Sequence, residues 1–256
     1  MKRRTHIGAL GIGLFAGRLG AAPPLAPPPT TGTMDKPVRV GVMVKDAESW
    51  VIAQVMQRVY AAAGISQTFV PMPPARAGIS VITGDVDADL MRITNFGVLH
   101  PQLVRVPTPV YHFNVIAASL ETRHLAVPSR EDLMRYTVGA VRGYFFVHEM
   151  TEKHPSVTLT QSSVQLVRML TANRVDLALD TPLSMLYTLR RMGVRNVQIS
   201  EPLASYALYH YLHPSNAGHA APLDRALLAM TANGTLARLT KDFEEKVLDL
   251  RPEQLY

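Results

Sequence analysis

The stretch from Val138 to Asp180 constrains the fold most, because strand, helix and strand follow one another within it. Val138-Gly139-Ala140-Val141 is a short apolar run that stops at Arg142-Gly143. Gln161-Ser162-Ser163 then opens a helix running from Val164 to Ala172. Ser162 and Gln165 have the spacing of a capping box, in which each side chain satisfies a free backbone donor at the helix start. Asn173 suits the left-handed turn that ends a helix. Val175-Asp176-Leu177-Ala178-Leu179 reads as a buried strand, with Asp180 at its carboxyl end. In open α/β sheets, ligands sit just outside that end of the strands. Gly143 and Asp180 are therefore expected to face one crevice, the first offering backbone amides and the second a negative charge. Asp180 followed by Thr181-Pro182 is also good helix-capping text, so the residue has two readings, ligand anchor or cap.

At 256 residues the chain has room for one large domain or two small lobes, each with its own core. An apolar fraction of 47% and a charged fraction of 18% are those of a globular protein and exclude disorder over most of the length. The net charge of +6 raises the question of nucleic-acid binding, and its location answers it. Lys2, Arg3, Arg4 and Arg18 lie in the first 33 residues, which hold no acid; without them 22 basic residues face 20 acidic ones. A nearly neutral body lacks the footprint that phosphate binding requires, and no nucleic-acid partner is expected. There are no cysteines, hence neither disulfides nor a thiolate metal site.

Lys2-Arg3-Arg4, the apolar run Ile7 to Ala16 and the small residues Gly20-Ala21-Ala22 read as a secretory signal over residues 1–22. The apolar run is too short to span a bilayer. Residues 23–34 read as an extended Pro/Thr linker. The expected location is periplasmic, with no membrane span in the mature chain.

Beyond the linker the pattern alternates. Val38 to Val44 reads as a strand, Ser49 to Ala63 as a helix ended by Gly64, and Thr68-Phe69-Val70 as a second strand. Pro71 to Arg76 is a loop feeding a short helix, and Gly84 to Leu90 leads into a third strand. Such alternation indicates α/β architecture with parallel strands. Val86-Asp87-x-x-Leu90 is echoed by Val175-Asp176-x-x-Leu179, a faint sign of two similar halves. Val110 to Ala118 is a long β-prone run leaving the first half, and Val197 to Leu212 brings the chain back. Leu223, Ala226, Leu227 and Met230 stripe one terminal helix, Leu236, Leu239, Phe243 and Val247 another, with Asn233-Gly234 between them. The expected layout is lobe 1 over residues 35–117, lobe 2 over 118–200, and a return crossing with C-terminal helices packing on lobe 1 over 201–256.

With these residues in place, the chain resembles the family 3 solute-binding proteins of ABC transporters over about residues 36 to 250. The resemblance is carried by Val138 to Gly143, Leu170 to Asp180 and Asn233-Gly234-Thr235-Leu236. Pro74-Ala75-Arg76 with Gly84 to Asp87, and Glu201-Pro202-Leu203 with Tyr209 to His213, add to it. It implies a type 2 periplasmic-binding fold: two lobes, each a mainly parallel sheet flanked by helices, joined by two hinge crossings. It also implies capture of a small polar ligand, amino-acid-like or anionic, by a monomer that passes it to an ABC-type permease. In amino-acid-binding members an acid at the position of Asp180 holds the ammonium group. Amides and a hydroxyl after the Gly143 position, with an arginine of the first lobe, hold the carboxylate. Here Tyr144 stands at the hydroxyl position, and the expected clamp arginine falls near Leu99 or His100.

The candidate ligand-binding residues are therefore Asp180, Arg92, Gly143, Tyr144, Arg76 and Trp50. Arg92 follows the third strand and could supply a replacement clamp through its planar fork, or be a solvated surface residue. Arg76 lies in the Pro-rich loop at the expected mouth. Trp50 and Tyr144 are candidates to stack on a ligand, and Trp50 equally for the core of the first helix. His148-Glu149-x-x-Glu152 has a glutamate where a zinc protease helix needs its second histidine, and His210-x-x-His213 in a β-prone segment splits its side chains between faces. No metal, no cofactor and no enzymatic activity are expected. Two alternatives stay open: a dehydratase- or lyase-like enzyme on the same scaffold, using Glu149 or Asp89, and a ligand-sensing module without a transport role.

Overall fold

A computed structural model describes residues 36–127 and 129–256; the expected signal and linker lie outside the described residues. The first half is built on β1 (Val38–Met43), with β2 (Gln67–Met72) and β3 (Ala88–Ile93) running parallel on either side of it. The connections are α1 (Ala47–Ala62) and α2 (Pro74–Thr83). Asp46 starts α1 by accepting from the Ser49 amide at 2.6 Å, and Gly64, at φ 70°, turns the chain out of it. Val51, Ile52, Ala53, Val55, Met56 and Val59 of α1 are all buried, because the helix is packed on both sides: against the sheet and against the C-terminal helices. Strand β2 continues past Val70 to Met72, since β1 keeps offering ladder partners as far as Met43. Pro71 is tolerated there because β2 is the edge strand. As a result Arg76 lies in the first turn of α2, not in a loop.

After α3 (Thr94–Leu99) and the short β4 (Val104–Arg105), β5 (Tyr111–Leu120) leaves the first half. In the second half, β6 (Val138–Val141) lies parallel to β7 (Val157–Thr160) and β8 (Leu177–Asp180), with α4 (Phe145–Thr151), α5 (Ser163–Thr171) and α6 (Pro182–Met192) as connections. The chain returns through β9 (Val197–Ile199) and β10 (Ala204–Leu212), and ends in α7 (Ala220–Ala232) and α8 (Thr235–Val247).

Strand β5 belongs to both halves. Tyr111 to Val115 pair antiparallel with β10 in the first sheet, whereas Ile116 to Leu120 pair antiparallel with β8 and β9 in the second. Strand β10 also closes the first sheet by pairing antiparallel with β3. The two crossings expected from the sequence are thus hydrogen-bonded to one another, with Leu203 N–H donating to Val115 O at 2.8 Å where one sheet gives way to the next. The fold is the expected one: two α/β lobes joined by two crossing strands.

The core divides accordingly. One apolar cluster fills lobe 1 and includes α1, α7, α8 and the inner strands. The lobe 2 sheet is covered on both faces: Val138, Ala140, Leu177 and Leu179 point to one side, Val141 and Ala178 with Leu166 and Val175 to the other. Burial on both faces is why these strands read as unbroken apolar runs. Gly139 faces α5, where an added Cβ would stand 2.7 Å from Leu166 Cδ1 and 3.2 Å from Val175 Cγ2. Gly139→Val should therefore lower stability by about 1–3 kcal/mol through overpacking, read as a lower urea midpoint with unchanged slope.

Local signals held at the helix ends. Ser162 accepts from the Gln165 amide at 3.2 Å, and Asn173 takes a left-handed conformation at φ 53°. The reciprocal bond differs from a standard capping box: Gln165 Oε1 accepts from Gln161 N–H at 2.9 Å, one residue before the cap. His210 is fully buried, bonded to Tyr60 Oη at 2.8 Å and to Leu90 O at 3.1 Å, and burial pulls its pKa down to about 4. It is a neutral core residue of β10.

Candidate functional site

Asp180 is the last residue of β8 and only 2% exposed. The structure separates its two sequence readings. The cap of α6 is Thr181, whose hydroxyl oxygen accepts from the Ser184 amide at 3.2 Å, with Pro182 in the first turn where a missing N–H costs nothing. Asp180 is held instead as an acceptor. Its Oδ1 takes the Thr181 N–H at 2.9 Å, and its Oδ2 takes the hydroxyls of Ser163 at 2.9 Å and Ser184 at 3.1 Å. These donors fix the carboxylate in the wall of a cavity of about 60 Å³.

The opposite wall comes from the start of α1 in lobe 1. Asp46 and Glu48 line the same cavity and are 5% and 6% exposed. Asp46 divides its oxygens between the Ser49 amide and the hydroxyl of Tyr144, which reaches over from lobe 2. Glu48 Oε1 accepts from the Thr181 hydroxyl and, at 3.1 Å, from the Ser184 amide, so a lobe 1 side chain caps a lobe 2 helix. Neither acid was among the sequence candidates. The signal was present: Asp46 followed three residues later by Ser49 is helix-start text, and it puts the helix N-terminus, with its acids, two residues earlier than Ser49. What the sequence lacked was any sign that this terminus faces β8.

Arg92 also lines the cavity, from near the end of β3. Its Nε donates to Asp89 Oδ2 at 2.8 Å, and its guanidinium lies 5.2 Å from the centre of the Phe96 ring. Its Nη2 is buried without a hydrogen-bond partner among the described residues. Arg92 is therefore a largely buried, half-neutralised cation, not a solvated surface residue.

Gly143 takes φ 97°, a conformation that favours glycine, and turns the chain out of β6 so that Tyr144 reaches Asp46. Asp180, Arg92, Gly143 and Tyr144 thus surround one cavity. The other two candidates do not reach it. Trp50 is buried in the lobe 1 core, edge-on to Phe243 of α8 with ring centres 5.9 Å apart, because its face of α1 meets the C-terminal helices. Arg76 is exposed on α2 beside a separate surface depression with Val70, Ile79 and Asp85.

The charge balance of the cavity is unusual. Asp46, Glu48 and Asp180 approach one another away from water, and the nearby arginine already faces Asp89. Burial, then the charges of Asp46 and Asp180, push Glu48 up to about 8. Burial pushes Asp180 up to about 6 against the pull of its three donors, and raises Asp46 as well. Asp89 is raised by burial too, with Arg92 opposing. Such a wall holds protons near neutrality or accepts a cation in their place. Among the described residues no group of three or more acids or histidines is arranged to hold a metal ion. Glu149, a candidate acid for the enzymatic alternative, lies on α4 near Arg130 at 3.9 Å and does not line the cavity.

No protein-family model matches the chain, and no curated protein matches it in sequence. Solved structures do match. The ligand-binding core of GluR0, in complex with L-glutamate, aligns with a TM-score of 0.71 at 15% identity over 81% of this chain and 98% of that one. A histidine kinase sensor domain similar to periplasmic binding proteins aligns at 0.69, with 14% identity over 81% and 96%. The arginine-, lysine-, histidine-binding protein ArtJ from Geobacillus stearothermophilus aligns at 0.66, with 15% identity over 81% and 95%. The chain has the two-lobed periplasmic-binding-protein fold that these structures share.

Proposed function

We propose that the chain is a divergent family 3 solute-binding protein that captures a small ammonium-bearing molecule, amino-acid-like or a simple amine, between its lobes. The observation that carries this reading is the meeting of Asp180 from one lobe with Asp46 and Glu48 from the other around one buried cavity. An ammonium group would replace the protons that burial and mutual repulsion make these acids hold, and its N–H donors would meet charged acceptors. Arg92, whose Nη2 has no hydrogen-bond partner among the described residues, is the basic residue of that cavity's described lining and would serve an acid or carbonyl of the same ligand. A purely anionic ligand would face three carboxylates, so the site favours the amino-acid-like half of the sequence expectation. That ArtJ is described as binding arginine, lysine and histidine agrees with an amine-directed site on this fold.

The role that fits best is that of an exported, monomeric receptor delivering its ligand to an ABC-type permease. Among the described residues no helix is long and apolar enough to cross a membrane. A sensing role is the second reading, supported by the likeness to a histidine kinase sensor domain; a permease and ATPase encoded beside the chain would favour uptake. No catalytic role is proposed for any residue.

A thermal-shift screen of amino acids, polyamines and small acids at pH 8 tests the ligand class. Ligand at a hundredfold excess over its dissociation constant should add about 2.7 kcal/mol of stability. Amines or amino acids are expected to raise Tm while amine-free acids leave it unchanged. Shifts with the acids alone, or with nothing in a folded sample, would refute the reading.

A further inference from the structure

We propose that the two lobes are held closed by the chain's own side chains, through a latch inside the cleft and a strap along its edge. The latch consists of the bonds already met at the cavity. Tyr144 donates to Asp46 across 98 positions of sequence, and Thr181 donates to Glu48 across 133. The Ser184 amide adds a third cross-lobe bond to Glu48 at 3.1 Å. Each joins a lobe 2 helix start, of α4 or α6, to the first turn of α1.

The strap is the segment over residues 249–256. On lobe 2, Tyr187 of α6 donates to Leu250 O at 3.0 Å, and Arg190 of α6 pairs with Asp249 at 2.7 Å. On lobe 1, Lys45 N–H donates to Leu255 O at 3.1 Å, Gln54 donates to Tyr256 Oη at 3.0 Å, and Leu255 is fully buried. The segment therefore ties α6 to both ends of the loop and first turns that carry Asp46 and Glu48. The Arg190–Asp249 pair is exposed and contributes little by itself. The buried bonds matter more, because separating the lobes breaks all of them together.

Closure then does not wait for a ligand. A ligand ammonium group has to compete with the Tyr144 and Thr181 hydroxyls for Asp46 and Glu48, so binding exchanges one set of bridging donors for another. The absence of cysteine from the sequence makes the test direct. Gln57→Cys on α1 and Arg168→Cys on α5, both at exposed positions, would carry a pair of spin labels, one on each lobe. The protein is unfolded in guanidinium, dialysed to remove any carried ligand, and refolded. Electron–electron distance measurement should then show one short, narrow population, unchanged by millimolar L-arginine or putrescine. Tyr144→Phe with Glu48→Ala should raise the open population at least tenfold, with cooperative unfolding retained as the check on folding. Should that pair fail to fold, Tyr187→Phe with Arg190→Ala, outside the cleft, should open the protein in the same direction. A long-distance population in the refolded wild type that disappears on adding arginine or putrescine would overturn the proposal. So would a wild-type distance in folded latch variants. The distance measurement needs no ligand and the ligand screen needs no particular closure, so either reading can fail without the other.

Discussion

Replacing Glu48 by Gln is expected to raise stability at pH 8 by roughly 3 kcal/mol and to change it little at pH 4. The carboxyl loses its proton near 4.5 when exposed and near 8 in its buried place beside Asp46 and Asp180. Between those values the folded chain keeps a proton that the unfolded chain has released, so wild-type stability falls as pH rises through the window. The contribution is fully present below 4.5 and lost by about 8. Gln is neutral throughout, and its oxygen can still accept from the Thr181 hydroxyl and the Ser184 amide. The difference between variant and wild type should therefore grow with pH, measured by urea unfolding at intervals from pH 4 to 9. His210 contributes with the opposite sign below its ordinary pKa but is common to both proteins and cancels in the difference. A flat difference across the range would mean that Glu48 is ionised throughout, and that the cavity is wetter than its burial indicates.

Asp180→Asn is expected to weaken binding of any amine found in the screen by about ten- to a hundredfold while leaving the fold intact. The ligand loses a charged acceptor, an interaction of about 1.5–3 kcal/mol. The fold survives because Asn keeps an oxygen for the Thr181 N–H, while the Ser163 and Ser184 hydroxyls can rotate to accept from the new amide. Wild-type affinity for the same amine should rise between pH 6 and 8, as Asp180 and then Glu48 give up protons that compete with the ligand. The slope should be shallower in the Asn variant. Calorimetric titration at several pH values reads both effects. Unchanged affinity in a folded Asp180→Asn protein would remove this carboxylate from the site, and with it the amine-directed reading.

Much of the architecture was legible because it rests on local rules. Apolar runs buried on both faces announced β6 and β8, and Ser162, Asn173 and Gly234 marked helix ends by their capping and left-handed preferences. Asp180 could be singled out because a strand's carboxyl end is a defined place in an α/β sheet. Trp50 took the core position that was one of its two readings, and Arg76 lies away from the cavity, each for a reason beyond local text. Whether a helix's aromatic faces a crevice or a neighbouring helix depends on what packs there, and α8 lies nearly two hundred positions further along the chain from Trp50. Arg76 was moved by β2, whose extension to Met72 is decided by the ladder that β1 offers and not by the proline-rich text itself.

The sequence by itself determined the first three strands with α1, the β6, α5 and β8 succession, the double crossing between lobes and the acid at the end of β8, because periodicity, caps and turn residues act over a few positions; α3, β4, α4 and β7 carry no such local pattern and came only with the structure. Only the tertiary structure decided that Asp46 and Glu48 meet Asp180, that Arg92 is already engaged by Asp89, and that Tyr144 spans the cleft. Those outcomes depend on how two separately packed sheets are set against each other by β5 and β10. Burial, the cause of every raised carboxyl in the cavity, comes into being with that docking and has no local signature.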